Sequence, residues 1–239
     1  MNTPVASTSP RQTNVHRLKS VHVEVDSALY LHLRSLFDGI KQAALQAHGR
    51  LLDIGCGNKP YQSLFASRVS EHIGCDVVQS DEQRVDIFCP ANDIPLPDSS
   101  FDTVLCTQVI EHVADHQGVI KEAFRLLKNG GVLILSAPMY WPLHEEPYDF
   151  FRFTKHGLAY LLEGAGFIRL EIVPNGGKWA LTGQAFMHSL VTTRLYYWWI
   201  TRKVLVPLVN RVFAWLDDKY PNYNNTMNYV IVAHKPVRP

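Results

Sequence analysis

The sequence lacks the features that mark several common classes of protein. Its four cysteines include no C-x-x-C pair, so zinc-ribbon and thioredoxin-like motifs are not indicated. No apolar run approaches the roughly 18 residues of a membrane span. Charge is balanced, with 23 Lys and Arg against 22 Asp and Glu, which gives no support for a nucleic-acid partner. We expect four reduced, largely buried thiols and no metal site.

The N-terminal stretch "MNTPVASTSPRQTN" is rich in Ser, Thr, Pro and Asn. It has no apolar h-region, so it does not resemble a secretory signal. Its composition predicts a disordered arm over residues 1–20. Residues 21–239 are then predicted to form a single domain, and we expect a cytoplasmic location.

Short apolar segments alternate with amphipathic or polar ones along the first two thirds of the chain. Runs that are apolar on both faces predict strands of a mostly parallel sheet covered on both sides. The predicted strands are 50–55, 71–76, 84–89, 101–107, 131–138, 167–174 and 228–235. The predicted helices are 27–47, 61–67, 115–128, closed by Asn129-Gly130-Gly131 as a C-cap, and 154–164.

The segment "LLDIGCGNKP" (51–60) is a strand that ends in Gly-x-Gly. Glycines at this point let a ligand approach the backbone. Asp76 lies 23 positions after Asp53, at the end of the second predicted strand. A carboxylate there suits the two hydroxyls of a ribose. The pair predicts an adenosine-containing cofactor, either NAD or S-adenosylmethionine.

The third glycine of a dinucleotide fingerprint is absent. After Gly57 come Asn58, Lys59 and Pro60, with proline where G-x-G-x-x-G requires glycine or alanine. S-adenosylmethionine has no pyrophosphate to hold, so the change favours it over NAD. A nicotinamide-dependent oxidoreductase remains the weaker alternative.

The ordered blocks "LLDIGCG", "GCD", "IPLPDSSFDTVLCTQVIEHV" and "EAFRLLKNGGVLILSAP" resemble class I S-adenosylmethionine-dependent methyltransferases. "WPLHEEPYDFFRFTKHGLAYLLEGAGF" (141–167) is similar to a subgroup of small bacterial methyltransferases, including ones linked to cell-surface glycan synthesis. The resemblance implies a Rossmann-like, doubly wound α/β fold with a mostly parallel seven-stranded sheet. Its last strand would be antiparallel and would follow a helical insertion.

The resemblance also implies which residues bind the cofactor. Relatives commonly have an acidic residue for the adenine amino group after the third strand, but here that position is Pro90, and Asn92 or Asp93 is the candidate replacement. Three alternatives stay open: Asp76 as a helix N-cap, Gln108 as a loop residue, and Glu111 with His112 as a surface pair. The implied cofactor-binding set is Asp53, Gly55, Cys56, Gly57, Asp76, Val77, Asn92, Asp93, Thr107 and Gln108.

Residues 139–153 follow the fifth predicted strand and so lie at the ligand-binding end of the sheet. We predict His144 as a general base for the acceptor, with Asp149 as the second catalytic residue. The alternatives are a structural histidine and a structural Asp149–Arg152 ion pair. The predicted acceptor-binding residues are His112, Tyr140, Trp141, Glu145, Tyr148 and Arg152.

Residues 175–226 mix large aromatic with basic residues. This composition is compatible with a helical lid, with peripheral membrane contact through 195–216, or with an oligomer contact. The sequence does not indicate the oligomeric state.

Together these features predict methylation of a small-molecule or lipid- or glycan-linked polar acceptor, with oxygen as the preferred nucleophile. One alternative acceptor is a quinone-like or aromatic compound. An alternative from another class is an inactive cofactor-binding partner subunit. No Asn/Asp-Pro-Pro-Tyr type motif follows the fourth strand, so a nucleic-acid substrate is not predicted.

Overall fold

The structure is a computed structural model that describes residues 23–237. The predicted N-terminal arm, residues 1–20, lies outside the described residues.

The first half of the described chain alternates strands and helices. Helix α1 continues into a 3₁₀ turn, Ala44–Gln46, and another 3₁₀ turn, Ile110–His112, follows β4. The elements are α1 (Tyr30–Ala43), β1 (Gly49–Ile54), α2 (Gln62–Phe65), β2 (Val69–Asp76), β3 (Ile87–Phe88), β4 (Phe101–Thr107), α3 (His116–Leu126) and β5 (Leu127–Pro138).

The second half adds two strands and a helical segment between them. A 3₁₀ turn (Arg194–Tyr197) and a π-helical turn (Thr201–Leu205) connect the last two helices. The elements are α4 (Lys155–Gly164), β6 (Ile168–Asn175), α5 (Lys178–Val191), α6 (Val206–Lys219) and β7 (Asn228–His234).

The seven strands form one sheet in the order β3-β2-β1-β4-β5-β7-β6. The ladders from β3 to β5 are parallel, whereas β7 is antiparallel to both β5 and β6. The predicted Rossmann-like sheet with an antiparallel last strand is therefore confirmed. The strand order reverses between β1 and β4, and ligands bind at such a switch point in open α/β sheets.

Successive side chains of the central strands enter opposite layers of the core. Leu51 packs with the cluster that contains Leu36 and Ile40 of α1. Leu52 packs with the cluster that contains Ile120 of α3 and Leu158 of α4. Helices thus cover both faces of the sheet, which leaves the carboxyl ends of β1, β2 and β4 as the open edge.

Helix α3 ends three residues before the predicted Asn-Gly-Gly cap. Leu127 pairs with Phe101 in the β4–β5 ladder, and the next recorded pair is Thr103 with Val132. The extra residues form an irregularity in β5, with Gly130 at φ +80°. The glycines therefore form part of a bulge within β5. The predicted end of the helix was wrong.

The predicted strand 84–89 is also shorter than expected, since β3 contains only Ile87 and Phe88. Two backbone N–H groups shortly before β3 bond to side chains and not to a neighbouring strand. Arg84 N–H donates to Ser80 Oγ at 3.0 Å, and Val85 N–H donates to Gln79 Oε1 at 3.0 Å. The predicted burial of the four cysteines is confirmed.

Candidate functional site

Two neighbouring clefts lie at the open edge of the sheet. The larger has a volume of about 470 Å³ and runs from the end of β2 to the segment after β4. The smaller, about 250 Å³, lies between residues 55–57, here named the glycine loop, and α1. Gly55, Gln108 and Glu145 line both. The two clefts therefore adjoin at these three residues and together form one elongated site.

The glycine loop supplies the floor of the site. Gly55 has φ +67°, and a Cβ there would lie 2.4 Å from a Val109 methyl carbon. Gly57 also has a positive φ, +49°. The N–H groups of Gly55 and Cys56 donate to the carbonyl of Cys75 at 2.8 and 3.1 Å. The loop is thus fixed in a conformation that favours glycine and exposes backbone to the clefts.

Asp76 is buried at the end of β2 and lines the larger cleft. Its Oδ2 accepts from Gly57 N–H at 3.1 Å, and its Oδ1 accepts from Val77 N–H at 2.7 Å. The next regular element after Asp76 is β3, so no helix begins there for it to cap. The N-cap alternative is therefore wrong, and the carboxylate links the glycine loop to the cleft wall.

The far wall of the larger cleft is built mainly from small and apolar residues. Val77, Pro90, Ala91 and Asn92 line it. The Asn92 amide donates to Asp115 Oδ2 at 3.0 Å. Asp93, the other candidate for an adenine contact, is exposed and is not among the residues that line either cleft.

Asp53 is buried and lines the smaller cleft. Its Oδ2 lies 3.0 Å from His72 Nε2, which is also shielded from solvent. Burial raises the pKa of the Asp53 carboxyl, and the His72 hydrogen bond opposes that effect. The imidazole is thus a partner of Asp53 that sequence spacing did not indicate.

Gln108 has a left-handed backbone, with φ +53°. Its N–H donates to the Ser136 carbonyl, and its side-chain amide donates to Ser136 Oγ, both at 3.1 Å. Thr107, the last residue of β4, lines the smaller cleft. Non-glycine residues in this conformation are strained and concentrate at functional sites. The tethered Gln108 therefore differs from an ordinary loop residue.

Glu111 and His112 form part of the 3₁₀ turn after β4 and are both buried. Neither carboxylate oxygen of Glu111 has a hydrogen-bond partner within residues 23–237. The nearest basic atom recorded is His112 Nε2, 3.9 Å from Glu111 Oε1. Burial raises the pKa of Glu111 to about 8. The surface-pair interpretation of these residues was wrong, and Glu111 is a buried neutral acid at pH 7.

Exchanging Glu111 for glutamine should remove a pH dependence of stability. The folded-state pKa lies above that of the unfolded chain, so the acid contributes stability that is lost as pH rises towards about 8. The Glu111→Gln variant should therefore gain a few kcal/mol over the wild type in free energy of unfolding between pH 5 and 9. Urea titrations across this range measure the difference.

Glu122→Gln is the control for that experiment. Hydrogen bonding to Arg125 lowers the pKa of Glu122, so its effect on stability is constant above pH 5. A Glu111→Gln variant whose stability difference from the wild type is equally constant would contradict the buried-acid assignment.

Residues 139–153, here named the acceptor loop, are held together by Arg152 and Asp149. The guanidinium donates to Asp149 Oδ1 at 2.7 Å and to Oδ2 at 2.8 Å. It also donates to the carbonyls of Trp141, Pro142 and Phe151. This bidentate pair holds the pKa of Asp149 well below its usual range. Arg152 thus has a structural part in the loop and is not among the residues that line the clefts.

His144 packs against this ion pair. Its Nδ1 lies 3.2 Å from the Pro142 carbonyl oxygen and 3.3 Å from Asp149 Oδ2. The two acceptors beside Nδ1 favour the tautomer in which Nδ1 carries the proton and Nε2 the lone pair. The imidazole is therefore oriented by a carboxylate, as a general base requires.

His112 connects His144 to the larger cleft, which it lines. The two rings are 4.6 Å apart, edge to face, and His112 Nδ1 lies 2.7 Å from the Tyr148 carbonyl oxygen. One ligand-type atom each from His112, His144 and Asp149 lie within 4.8 Å of one another. The sequence did not indicate this cluster, because His112 lies 32 and 37 positions before His144 and Asp149, which share one loop.

The other predicted acceptor residues divide into two groups. Glu145 and Tyr148 line the larger cleft, whereas Tyr140 and Trp141 are not among the residues that line either one. The Trp141 ring instead packs against His32 at 4.1 Å and against His188 of α5 at 4.6 Å. Trp141 therefore joins the acceptor loop to α1 and α5.

The residues of the two clefts fit S-adenosylmethionine. The backbone of Gly55 forms the floor where a Cβ would collide with Val109, and the Asp76 carboxylate suits a ribose diol. The apolar walls of the larger cleft suit an adenine ring. The smaller cleft, with Asp53 and Thr107, offers polar groups for an amino-acid moiety. The helix that follows this loop, α2, begins at Gln62 and has only four residues, and Pro60 stands where a dinucleotide fingerprint has its third glycine. The loop therefore lacks the features that hold a pyrophosphate at a helix N-terminus.

Comparisons with known proteins agree with this assignment. A family model described as "Methyltransferase domain" matches residues 52–135. A probable S-adenosylmethionine-dependent methyltransferase of Mycolicibacterium smegmatis is 34% identical over 131 residues, which cover 49% of this chain and 51% of that protein. A ubiquinone biosynthesis O-methyltransferase of Pseudomonas putida is 26% identical, with 57% and 59% covered. The chain thus spans about half the length of the curated relatives it matches.

The fold is shared with solved structures. A methyltransferase from Thermotoga maritima, described as a possible histamine N-methyltransferase, superposes with a TM-score of 0.55 at 20% identity. The alignment covers 87% of this chain and 92% of that one. At this identity the likeness concerns the architecture alone.

Proposed function

The chain carries a class I S-adenosylmethionine-dependent methyltransferase domain, and we propose that it methylates a polar acceptor that enters beside the acceptor loop. The observation that supports the proposal most is the meeting of the two clefts at Gly55, Gln108 and Glu145, next to His112. A cofactor spanning both clefts would place its reactive centre close to the acceptor loop.

Each part of the cofactor has residues suited to hold it. Asp76 would bind the ribose hydroxyls, while Val77, Pro90 and Asn92 would surround the adenine. Gly55, Cys56, Gly57, Asp53 and Thr107 would contact the amino-acid end. When bound, the cofactor supplies an activated methyl group, so the protein needs mainly to align the acceptor and exclude water.

His144 would take the proton of an acceptor hydroxyl. Asp149 and the Pro142 carbonyl orient Nδ1, which leaves Nε2 as the basic nitrogen. The Arg152 ion pair keeps Asp149 ionised, so the carboxylate would stabilise the imidazolium that forms. His112, Glu145 and Tyr148 would hold polar groups of the acceptor, and oxygen is the nucleophile that gains most from such a base.

The acceptor we favour is a small molecule or a group linked to a lipid or glycan. A lipid-linked acceptor would be met at a membrane surface, where residues 195–216 are the candidate contact. Within residues 23–237, no helix combines the length and the apolar character needed to cross a bilayer. A quinone-like acceptor is the second candidate, because relatives include a ubiquinone biosynthesis O-methyltransferase and a demethylmenaquinone methyltransferase.

Transfer of label from methyl-labelled S-adenosylmethionine tests this function. The protein is incubated with aqueous and lipid fractions of a cell extract, and labelled products are separated by chromatography. We expect a labelled product in the lipid fraction that releases its label as methyl iodide in hot hydriodic acid, as O-methyl groups do, without the higher temperature that N-methyl groups need. Binding of S-adenosylhomocysteine without any labelled product would favour the partner-subunit alternative.

A further inference from the structure

Residues 195–215 carry a series of large, exposed apolar side chains, which are here named the outer patch. It begins in the 3₁₀ turn after α5, continues through the π-helical turn and extends along α6. Trp199 is 72% exposed, Trp198 64% and Trp215 54%. Single exposed hydrophobic residues are normal, but large contiguous patches mark interaction sites. The largest side chains of the outer patch are those of Tyr197, Trp198, Trp199, Ile200, Leu208 and Trp215.

The fold does not need the outer patch for its own core. The opposite side of α6 carries the buried residues Val206, Asn210 and Ala214. The Asn210 amide donates to the carbonyls of Val25 and Ser27 at 2.7 and 2.8 Å. Asp217 accepts hydrogen bonds from three N–H groups at the start of α5. These contacts fix α6 from the inner side, so the exposed side is available to a partner.

The charge of the outer patch indicates the partner. Between positions 194 and 216 the sequence has Arg194, Arg202, Lys203 and Arg211 and no acidic residue. All four are exposed, and Lys203 pairs with Asp26. Aromatic rings among basic side chains suit a lipid headgroup region, and each Lys or Arg near an anionic surface contributes about 1 kcal/mol. In a symmetric dimer this basic patch would meet its own copy and bring like charges together.

We infer that the outer patch docks on a bilayer that carries anionic lipid headgroups. Helix α5 ends at Val191, four residues before the patch begins. Its His188 ring packs on Trp141 of the acceptor loop, and Trp141 packs on His32, which lines the smaller cleft. Docking would therefore bring the acceptor side of the site towards the bilayer. This last step rests on the proposed function, whereas the docking itself does not.

Vesicle flotation tests the inference with full-length, tag-free protein. Vesicles of phosphatidylcholine alone are compared with vesicles that contain phosphatidylglycerol as the anionic lipid. We expect flotation with the anionic vesicles and a marked loss at high salt. The Arg202→Gln/Arg211→Gln variant should bind anionic vesicles roughly 10-fold or more weakly, from the contribution of two cations.

Substitution of the tryptophans separates docking from folding. Trp198→Ser/Trp199→Ser should bind vesicles at least tenfold more weakly because both rings leave the interface. Tyr160→Ala is the matched control, since Tyr160 is 77% exposed but lies on α4, outside the outer patch. Both variants should keep the wild-type unfolding midpoint and affinity for S-adenosylhomocysteine.

Three outcomes would overturn the inference. These are an absence of flotation, equal flotation on neutral and anionic vesicles, and binding that survives the tryptophan substitutions. A concentration-dependent dimer that dissociates in Trp198→Ser/Trp199→Ser, without flotation, would assign the surface to a second copy of the chain. Failure of the methyltransferase proposal would show instead as an absence of labelled product, with or without S-adenosylhomocysteine binding, and would leave flotation unchanged.

Discussion

Replacing Asp76 by alanine is expected to weaken binding of S-adenosylhomocysteine by roughly 100-fold or more. Hydrogen bonds to a charged group contribute about 1.5–3 kcal/mol each, and the two ribose hydroxyls would lose both. The same carboxylate accepts from the N–H groups of Gly57 and Val77. Its removal therefore also loosens the loop beneath the cofactor. Isothermal titration calorimetry measures the change in affinity.

Glu71→Gln is the matched control for Asp76→Ala. Glu71 is a carboxylate on the same strand, β2, but pairs with Arg50 on the exposed side, away from both clefts. It should leave S-adenosylhomocysteine affinity unchanged. If Asp76→Ala bound S-adenosylhomocysteine as tightly as Glu71→Gln, the ribose assignment would be wrong.

His144→Ala is expected to reduce turnover by about 100-fold or more while cofactor affinity stays at the wild-type value. Positioned general bases contribute about 10²–10⁴-fold, and His144 is not among the residues that line the two clefts. The substitution should therefore lower turnover without changing cofactor affinity. Labelled methyl transfer to the accepting extract fraction measures turnover, and calorimetry with S-adenosylhomocysteine measures binding.

The pH profile distinguishes a base from a structural histidine. Loss of a base should remove the acidic limb of the rate profile, whereas loss of a loop support should lower the rate equally at every pH. His156→Ala serves as a control, because His156 is an exposed histidine on α4. Wild-type turnover in His144→Ala would exclude His144 as the base.

The central sheet was predictable because its signals are local. Apolar runs such as 101–107 and a glycine directly after β1 follow from the side chains of each segment alone. The confirmed position of Asp76 at the end of β2 follows in the same way. These predictions needed no knowledge of which segments meet.

The ends of some elements depend on contacts that are distant in sequence. Asn129-Gly130-Gly131 has the composition of a helix C-cap. The pairing of Leu127 with Phe101 instead draws the segment into β5. Because that partner lies on another strand, the local pattern predicted the wrong end.

Sequence patterns also could not predict the burial of Glu111. A three-residue 3₁₀ turn is too short to show a periodicity. The acceptor loop covers it, and the N–H groups of Phe150 and Phe151 donate to the Glu111 carbonyl. The loop that carries the predicted base therefore also buries the acid behind the cleft.

The outer patch was ambiguous for a related reason. Helix α6 is apolar on its inner and outer sides, so periodicity could not indicate which side packs. Contacts from residues 25–27 and from α5 identify the inner side. The exposed apolar surface became apparent only after those contacts were assigned.

Calorimetric titration of the wild-type protein with S-adenosylhomocysteine and, separately, with NAD⁺ tests the central claim most directly. The geometry of Gly55, Pro60 and Asp76 predicts saturable binding of S-adenosylhomocysteine at one site per chain and no measurable binding of NAD⁺. Binding of NAD⁺ without binding of S-adenosylhomocysteine would contradict the account.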